Sequence, residues 1–245
     1  MDIINKSNQP IKNLNDWEKE IPKKDWVEGR SAYSLANFVL NEKGLELIEN
    51  IIKDILKDEI TFEKGTPEYE VRFDKFGGRG RYHDLGIWGK TKSTNKTFFI
   101  GIESKVDESF GQTVSDAYIS GIIKRLNKEN TKKPERVQKL LEQNFGNKIK
   151  SKHFDLRYQL LYTTMGTLEE KADISICFFI IFKSSSYDKI KGNENYRDYC
   201  QFIQNVVSEK ILCDIDNVEV NKLTIDNRII YSVHSEIEID YKSSR

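Results

Sequence analysis

From Asn41 to Ile60 the apolar residues Leu45, Ile48, Ile52, Ile55 and Leu56 recur at steps of three and four, which predicts an amphipathic helix with one face on a core. Glu49 falls inside that apolar arc. A shorter helix is expected from about Ser31 to Leu40, and the first 29 residues, polar except for anchors such as Trp17 and Trp26, read as an extension packed on the main body. Beyond Gly65 and Pro67 the runs become strand-like. Tyr69 to Phe76, His83 to Gly89 and Thr97 to Val106 predict an antiparallel meander, joined by a glycine- and arginine-rich turn and by the polar stretch Thr91 to Lys96.

Ser109 and Gln112 have capping-box spacing, so a helix carrying Val114, Ala117, Tyr118, Gly121 and Ile122 is expected to open there. Pro134 suits the first turn of a second helix ending near Gly146, and His153 to Met165 reads as a third, stopped by Gly166. Asp173 to Lys183 is almost continuously apolar, as a central strand buried on both faces must be. A helix over Asn195 to Ile211 and strands over Val218–Ile225 and Ile229–Ile239 complete the pattern. The order helix, three strands, helix, strand predicts a single α/β domain with a mixed sheet flanked by helices. Residues 1–40 are its extension, 41–183 its core and 184–245 a helix-and-strand elaboration of the same domain.

Composition narrows the classes. With 38% hydrophobic and 11% aromatic residues the chain can fill a core, so extensive disorder is not expected. Its 39 basic and 39 acidic residues cancel, so contact with a polyanion must come from a local patch rather than a global field. Three widely spaced cysteines and three histidines suggest neither a disulfide framework nor a structural zinc site, and the cysteines read as core fillers. There is no signal-like apolar segment near the amino terminus and no apolar run of membrane-spanning length, so a cytoplasmic chain is expected.

On the third meander strand, alternation puts Phe99, Gly101, Glu103 and Lys105 on one face and Phe98, Ile100, Ile102, Ser104 and Val106 on the other. A carboxylate and an ammonium two residues apart at the end of an apolar strand can pair, which lowers the penalty of bringing both into a cleft. Gly101 on the same face would leave room for a substrate backbone. In a meander, Asp84 on the preceding strand comes beside Glu103. Two hard oxygen ligands suit magnesium, with manganese as a substitute, and such an ion supports phosphodiester hydrolysis by activating water and polarising phosphoryl oxygen. Lys105 would orient that water and stabilise developing charge.

His83-Asp84-Leu85-Gly86 followed by Gly101-Ile102-Glu103-Ser104-Lys105, in this element order, resembles the PD-(D/E)XK superfamily with the restriction endonuclease-like fold. The resemblance covers about Asn41 to Lys183, with histidine rather than proline before the first acid. It implies a magnesium-dependent endonuclease acting on DNA, less often on RNA. In that family's pattern Asp84 is the first acid, Glu103 and Lys105 the E-x-K pair, Ser104 the intervening carbonyl, and Glu49 the closest match to the first-helix acid.

Glu169-Glu170-Lys171 is a second E-x-K, expected to be a solvated helix end. Arg79 and Arg81 either hold a phosphate beside the ion or belong to an ordinary hairpin turn. From Lys124 to Lys152 ten Lys or Arg face three Glu, so Lys124, Arg125 and their neighbours either bind a phosphate backbone or form a solvated helical face. Arg157 and Gln159 either reach the cleft or serve helix packing. A restriction or anti-phage role and a homodimer fit the resemblance. The competing classes are a non-catalytic nucleic-acid-binding or scaffold protein and an RNA-directed nuclease.

Overall fold

The structure is a computed structural model that describes residues 1–213 and 215–239. An eight-stranded mixed sheet carries two separate cores, one on each face. Strand β1 (Asp2–Ile3) and helices α1 (Leu14–Glu18), α2 (Ser31–Leu40) and α3 (Glu42–Leu56) precede the meander β2 (Ile60–Val71), β3 (Arg81–Thr91) and β4 (Thr97–Lys105). Helices α4 (Val114–Leu126), α5 (Lys133–Phe145) and α6 (Tyr158–Glu169) lead to β5 (Ile174–Lys183), and α7 (Lys189–Val206), β6 (Val207–Ile211), β7 (Val218–Ile225) and β8 (Arg228–Glu238) follow. The sheet order is β1-β2-β3-β4-β5-β8-β7-β6, parallel across β4-β5-β8 and antiparallel within the meander and across β8-β7-β6. Among the described residues no helix is long and apolar enough to cross a membrane.

The apolar run of β5 shows why two cores exist. Ile176, Phe178, Ile180 and Phe182 join the core under α1 to α3, whereas Cys177, Phe179 and Ile181 join the one under α4 to α7. A strand in that position must be apolar on both sides. The periodic residues Ile48, Ile52 and Ile55 of α3 face the first core, and Asn41 caps that helix by accepting from the Lys43 amide at 3.1 Å. The extension belongs to the same sheet, since Asp2 and Ile3 pair with Lys64 and Gly65. Trp17 is fully buried in the first core.

Several boundaries differ from expectation. The α3 helix stops at Leu56, where Lys57 turns into the left-handed region, and β2 starts at Ile60 and runs straight through Gly65 and Pro67. Because β1 pairs only with Lys64 and Gly65, β2 is an edge strand beyond them, and an edge tolerates proline. The expected strand end, Arg72 to Phe76, is hairpin loop, held by Arg136 on Asp74 at 3.0 Å and on the Gly77 carbonyl at 2.9 Å. Ser109 and Gln112 do not cap α4; Thr113 does, accepting from the Asp116 amide at 3.1 Å. Gly166 does not stop α6, because its bare Cα fits against Val71 and His83. The expected helix end after Val206 is the edge strand β6.

Candidate active site

The chemistry gathers where the meander loses its regular alternation. Leu85 and Ile87 lie in the first core, yet His83 packs on the opposite side against Gly101, Gly166 and Thr167. Alternation is therefore interrupted at Asp84. On the neighbouring strand, the pairs Pro67 with Leu85 and Tyr69 with His83 bracket Glu68, whose φ of +48° is left-handed. Such local irregularities re-aim a side chain out of the pleat. Here they place Glu68 and Asp84 opposite one another on the wall of a cavity of about 450 Å³, which Lys105 also lines.

Asp84 is fixed by Ser104, whose amide and hydroxyl both donate to Oδ2 at 2.7 Å. Glu103 is 1% exposed, and its Oε1 accepts from Lys105 Nζ and from Gln159 Nε2, both at 2.5 Å. Its Oε2 is buried with no hydrogen-bond partner among the described residues. Burial, reinforced by the Asp84 and Glu68 carboxylates and opposed by Lys105, pushes Glu103 up to about 8. Burial and Asp84 likewise push Glu68 up to about 7. Burial works against the charge of Lys105, but Glu103 and then Asp84 outweigh it and hold the ammonium above its ordinary value. Glu103 and Asp84 thus share one buried ammonium, and Glu68 stands beside Asp84.

The second wall of the cavity comes from the extension, with Pro22, Lys24 and Arg30 among its residues. Arg30 ties this wall down through Asp107 at 2.8 Å and Glu108 at 3.2 Å, just past the end of β4. The Arg81 guanidinium bonds the Tyr158 hydroxyl at 3.3 Å and lies 5.4 Å from the Tyr162 ring centre. Burial, with Glu103 next, pushes the Tyr162 phenol well up, so it stays protonated.

The structure thus brings Asp84, Glu103, Ser104 and Lys105 together and adds Gln159, whereas Arg81 lies with Arg79 and Arg136 in a separate pocket. Glu49 is elsewhere. It pairs with Lys53 at 2.8 Å, which also holds Glu59 at 2.9 Å beside the start of β2, eight residues or roughly 26 Å along that strand from Glu68. Periodicity gave the direction of Glu49 around the helix but not its level along the sheet. Glu68 supplies the third carboxylate instead. Gly101 leaves no room for a substrate, since a Cβ there would meet Thr167 Oγ1 at 2.3 Å and His83 Cε1 at 2.6 Å. His83 is fully buried, and burial alone takes it down to about 3.

Among the candidate phosphate contacts, Arg79 is exposed at the hairpin tip. Arg125 instead braces the α4–α5 connection through Glu135 and the Thr131 carbonyl, and Lys124 pairs with Glu129 at 3.7 Å. Arg157 holds Asp198 at 2.7 Å and the Gly111 carbonyl at 3.0 Å. The second E-x-K is not a solvated end: Glu169 binds Arg228 at 3.0 Å and Glu170 accepts from the Tyr69 hydroxyl at 3.0 Å.

Fold and site together define an α/β chain with a mixed sheet and an acidic, lysine-bearing cleft at the meander. Residues 10–226 match the family described as Domain of unknown function (DUF6946), and the chain belongs to that family. No curated protein matches it, and no solved structure does.

Proposed function

We propose that the chain is a metal-dependent nuclease of the PD-(D/E)XK kind, hydrolysing phosphodiester bonds of DNA at the Glu68–Asp84–Glu103–Lys105 cleft. One observation carries this: the buried Glu103 holds Oε2 without a partner beside two further carboxylates, an arrangement that a divalent cation would satisfy. Among the described residues no three His, Cys, Asp or Glu side chains enclose a ready-made cage. Mg²⁺ and Mn²⁺ take one or two carboxylates and complete their shells with water and substrate oxygen. The donors offered are Asp84, Glu103 and Glu68, with the Ser104 carbonyl between the acids of β3 and β4. When bound, the ion supplies Lewis acidity toward a phosphoryl oxygen and a water of lowered pKa.

The chain's own residues do the rest. Ser104 holds Asp84 by two hydrogen bonds, so the carboxylate keeps one orientation while a substrate enters. Gln159 donates to the same Glu103 oxygen as Lys105, fixing the rotamer that leaves Oε2 free. Lys105 carries a proton in the cleft and can donate to the phosphoryl oxygen as charge develops there. Lys24 and Arg30 on the facing wall offer cations to the adjoining phosphates.

Purified protein is incubated with single- and double-stranded DNA and with RNA under Mg²⁺, Mn²⁺ or chelator, alongside Lys105→Ala and Asp84→Ala. Cleavage of DNA that needs the metal and both side chains supports the proposal. Cleavage of RNA alone redirects it to an RNA-directed enzyme, and undiminished cleavage by both variants overturns the site. Metal-independent nucleic-acid binding without cleavage of any substrate would replace the enzyme with a binding protein that keeps the fold.

A further inference from the structure

Arg81 opens β3 against α6, where its Nη2 donates to the Tyr158 hydroxyl and its guanidinium lies 5.5 and 5.4 Å from the Tyr158 and Tyr162 ring centres. No carboxylate accompanies it. Among the described residues every other arginine either pairs with an Asp or Glu or is exposed, so Arg81 alone is both partly buried and without a counter-charge. A cation withdrawn from water in this way is costly, and two aromatic faces recover only part of that cost. Its Nε is closed off and its Nη2 is taken by Tyr158, which leaves Nη1 as the free edge of the fork.

Two carboxylates stand at the hairpin between β2 and β3, and both are engaged in holding it. Glu70 accepts from the Gly80 amide at 2.7 Å and from Arg72 Nη2 at 2.8 Å, and Asp74 accepts from the Phe76 amide at 2.8 Å and from Arg136 Nε at 3.0 Å. Arg72 and Arg136 also donate to the Gly78 and Gly77 carbonyls, at 3.0 and 2.9 Å. The loop is thus fixed from within. Arg79 and Arg81 remain as two uncompensated charges, and they line one pocket together with Arg136. Its volume is about 10 Å³, room for one oxygen atom and no larger group. A phosphoryl oxygen fits that slot, with the rest of the phosphate outside and matched to the guanidinium forks. Arg81 stands three residues along β3 from Asp84, roughly 10 Å, which is about three nucleotide steps along one strand of a duplex.

We infer that Arg81 and Arg79 grip a backbone phosphate of the DNA about three nucleotides from the carboxylate cleft, outside the reacting centre. The inference rests on the nuclease reading for the identity of the polyanion. Arg81, seated on its two tyrosines, is the fixed contact, and Arg79 at the exposed hairpin tip is the adjustable one. Such a contact carries no sequence information of its own; it sets the register, and with it the linkage that lies over Glu103 and Lys105.

The test is fluorescence anisotropy of the full chain on a short double-stranded DNA, in chelator and over a series of KCl concentrations, so the readout does not depend on cleavage. Arg81→Met keeps the packing on the tyrosines, and Arg79→Ala alters only an exposed side chain. Each should weaken binding about fivefold or more and lower the slope of log affinity against log salt by about one, whereas Arg81→Lys should keep the slope. A purely structural role would lower the melting temperature of Arg81→Met and leave the slope alone. In duplexes carrying one uncharged methylphosphonate linkage, a single position should weaken the unaltered protein and not Arg81→Met, and it should lie about three linkages from the cut made under Mg²⁺. Binding of this kind without cleavage under any metal removes the nuclease reading and leaves the phosphate grip standing. Metal-dependent cleavage with unchanged salt slopes in Arg81→Met and Arg79→Ala does the reverse. A sensitive linkage at the cut itself, or no DNA binding in chelator, also overturns the inference.

Discussion

Glu68 and Asp84 stand opposite one another on β2 and β3 at a step where side-chain alternation fails, and both line the wall of one cavity. Like charges held together this way disfavour each other unless a cation joins them. Glu68→Gln should therefore leave thermal stability in chelator unchanged or raised, while lowering metal-dependent cleavage at least about tenfold. Melting curves with and without Mn²⁺ read both effects. A variant that loses stability in chelator and cleaves normally would show that Glu68 is structural.

Lys105 pairs with Glu103, a carboxylate that is 1% exposed. Lys105→Ala should destabilise the fold by about 3–5 kcal/mol in denaturant titrations, because it strands a buried charge. Lys105→Met combined with Glu103→Gln should recover most of that stability, yet neither variant should cleave. Recovery of cleavage by the double variant would remove the pair from the chemistry.

Gln159 acts through Glu103, to which it donates at 2.5 Å. Gln159→Ala should raise the Mn²⁺ concentration needed for half-maximal cleavage by about 10–100-fold, with rate partly restored at saturating metal. A fall in maximal rate with no change in metal dependence would instead indicate a direct role.

Gly101 is filled from the far side by Thr167 and His83. Gly101→Ala should destabilise the protein by about 1–3 kcal/mol through overpacking, and Thr167→Ala in the same chain should return part of it. Chemical denaturation of the three variants decides between overpacking and a substrate-side role, which Thr167→Ala would not rescue.

His234, 4% exposed between the Tyr196 and Tyr199 rings, is taken down to about 4 by burial despite Glu236 and Glu219, with Lys183 adding to the effect. Its folded value lies below the ordinary one near 6.5, so the unfolded chain takes up the proton first as pH falls. The stability tied to its neutral form is complete above about 6.5 and is lost toward pH 4, on the order of 3 kcal/mol. His234→Gln should flatten the melting temperature between those limits. An unchanged pH slope would mean that His234 is protonated in the native protein.

Much of the site was legible because strand alternation is a local rule. Glu103 and Lys105 follow from it, as do both faces of β5, whereas Asp84 was found from its place in the meander, at a step where alternation breaks. Glu68 was not legible, because Gly65 and Pro67 look like punctuation, and only the sheet's edge position lets β2 pass through them. Gln159 stayed undecided while α6 was expected to begin at His153; with the helix starting at Tyr158, Gln159 stands on its first turn, against Glu103. Glu49 failed for a geometric reason, since a helix's apolar arc says which way a residue faces and nothing about its height. The β6 strand is short and polar, Val-Ser-Glu-Lys-Ile, and only pairing with β7 makes it a strand.

The margins of the sheet have a consequence for how the protein behaves in a crowd. At one side β1 covers only Lys64 and Gly65, and the exposed rim of β2 is interrupted by a bulge at Phe62–Lys64 and then by Pro67, which has no amide proton to offer. At the other side β6 is five residues long, shifts register between Val207 and Glu209, and carries Glu209 and Lys210. Neither rim presents a long, flat row of free amides and carbonyls, so a second molecule finds no template on which to add a strand. A large sheet with a highly apolar centre is thereby protected from end-to-end polymerisation.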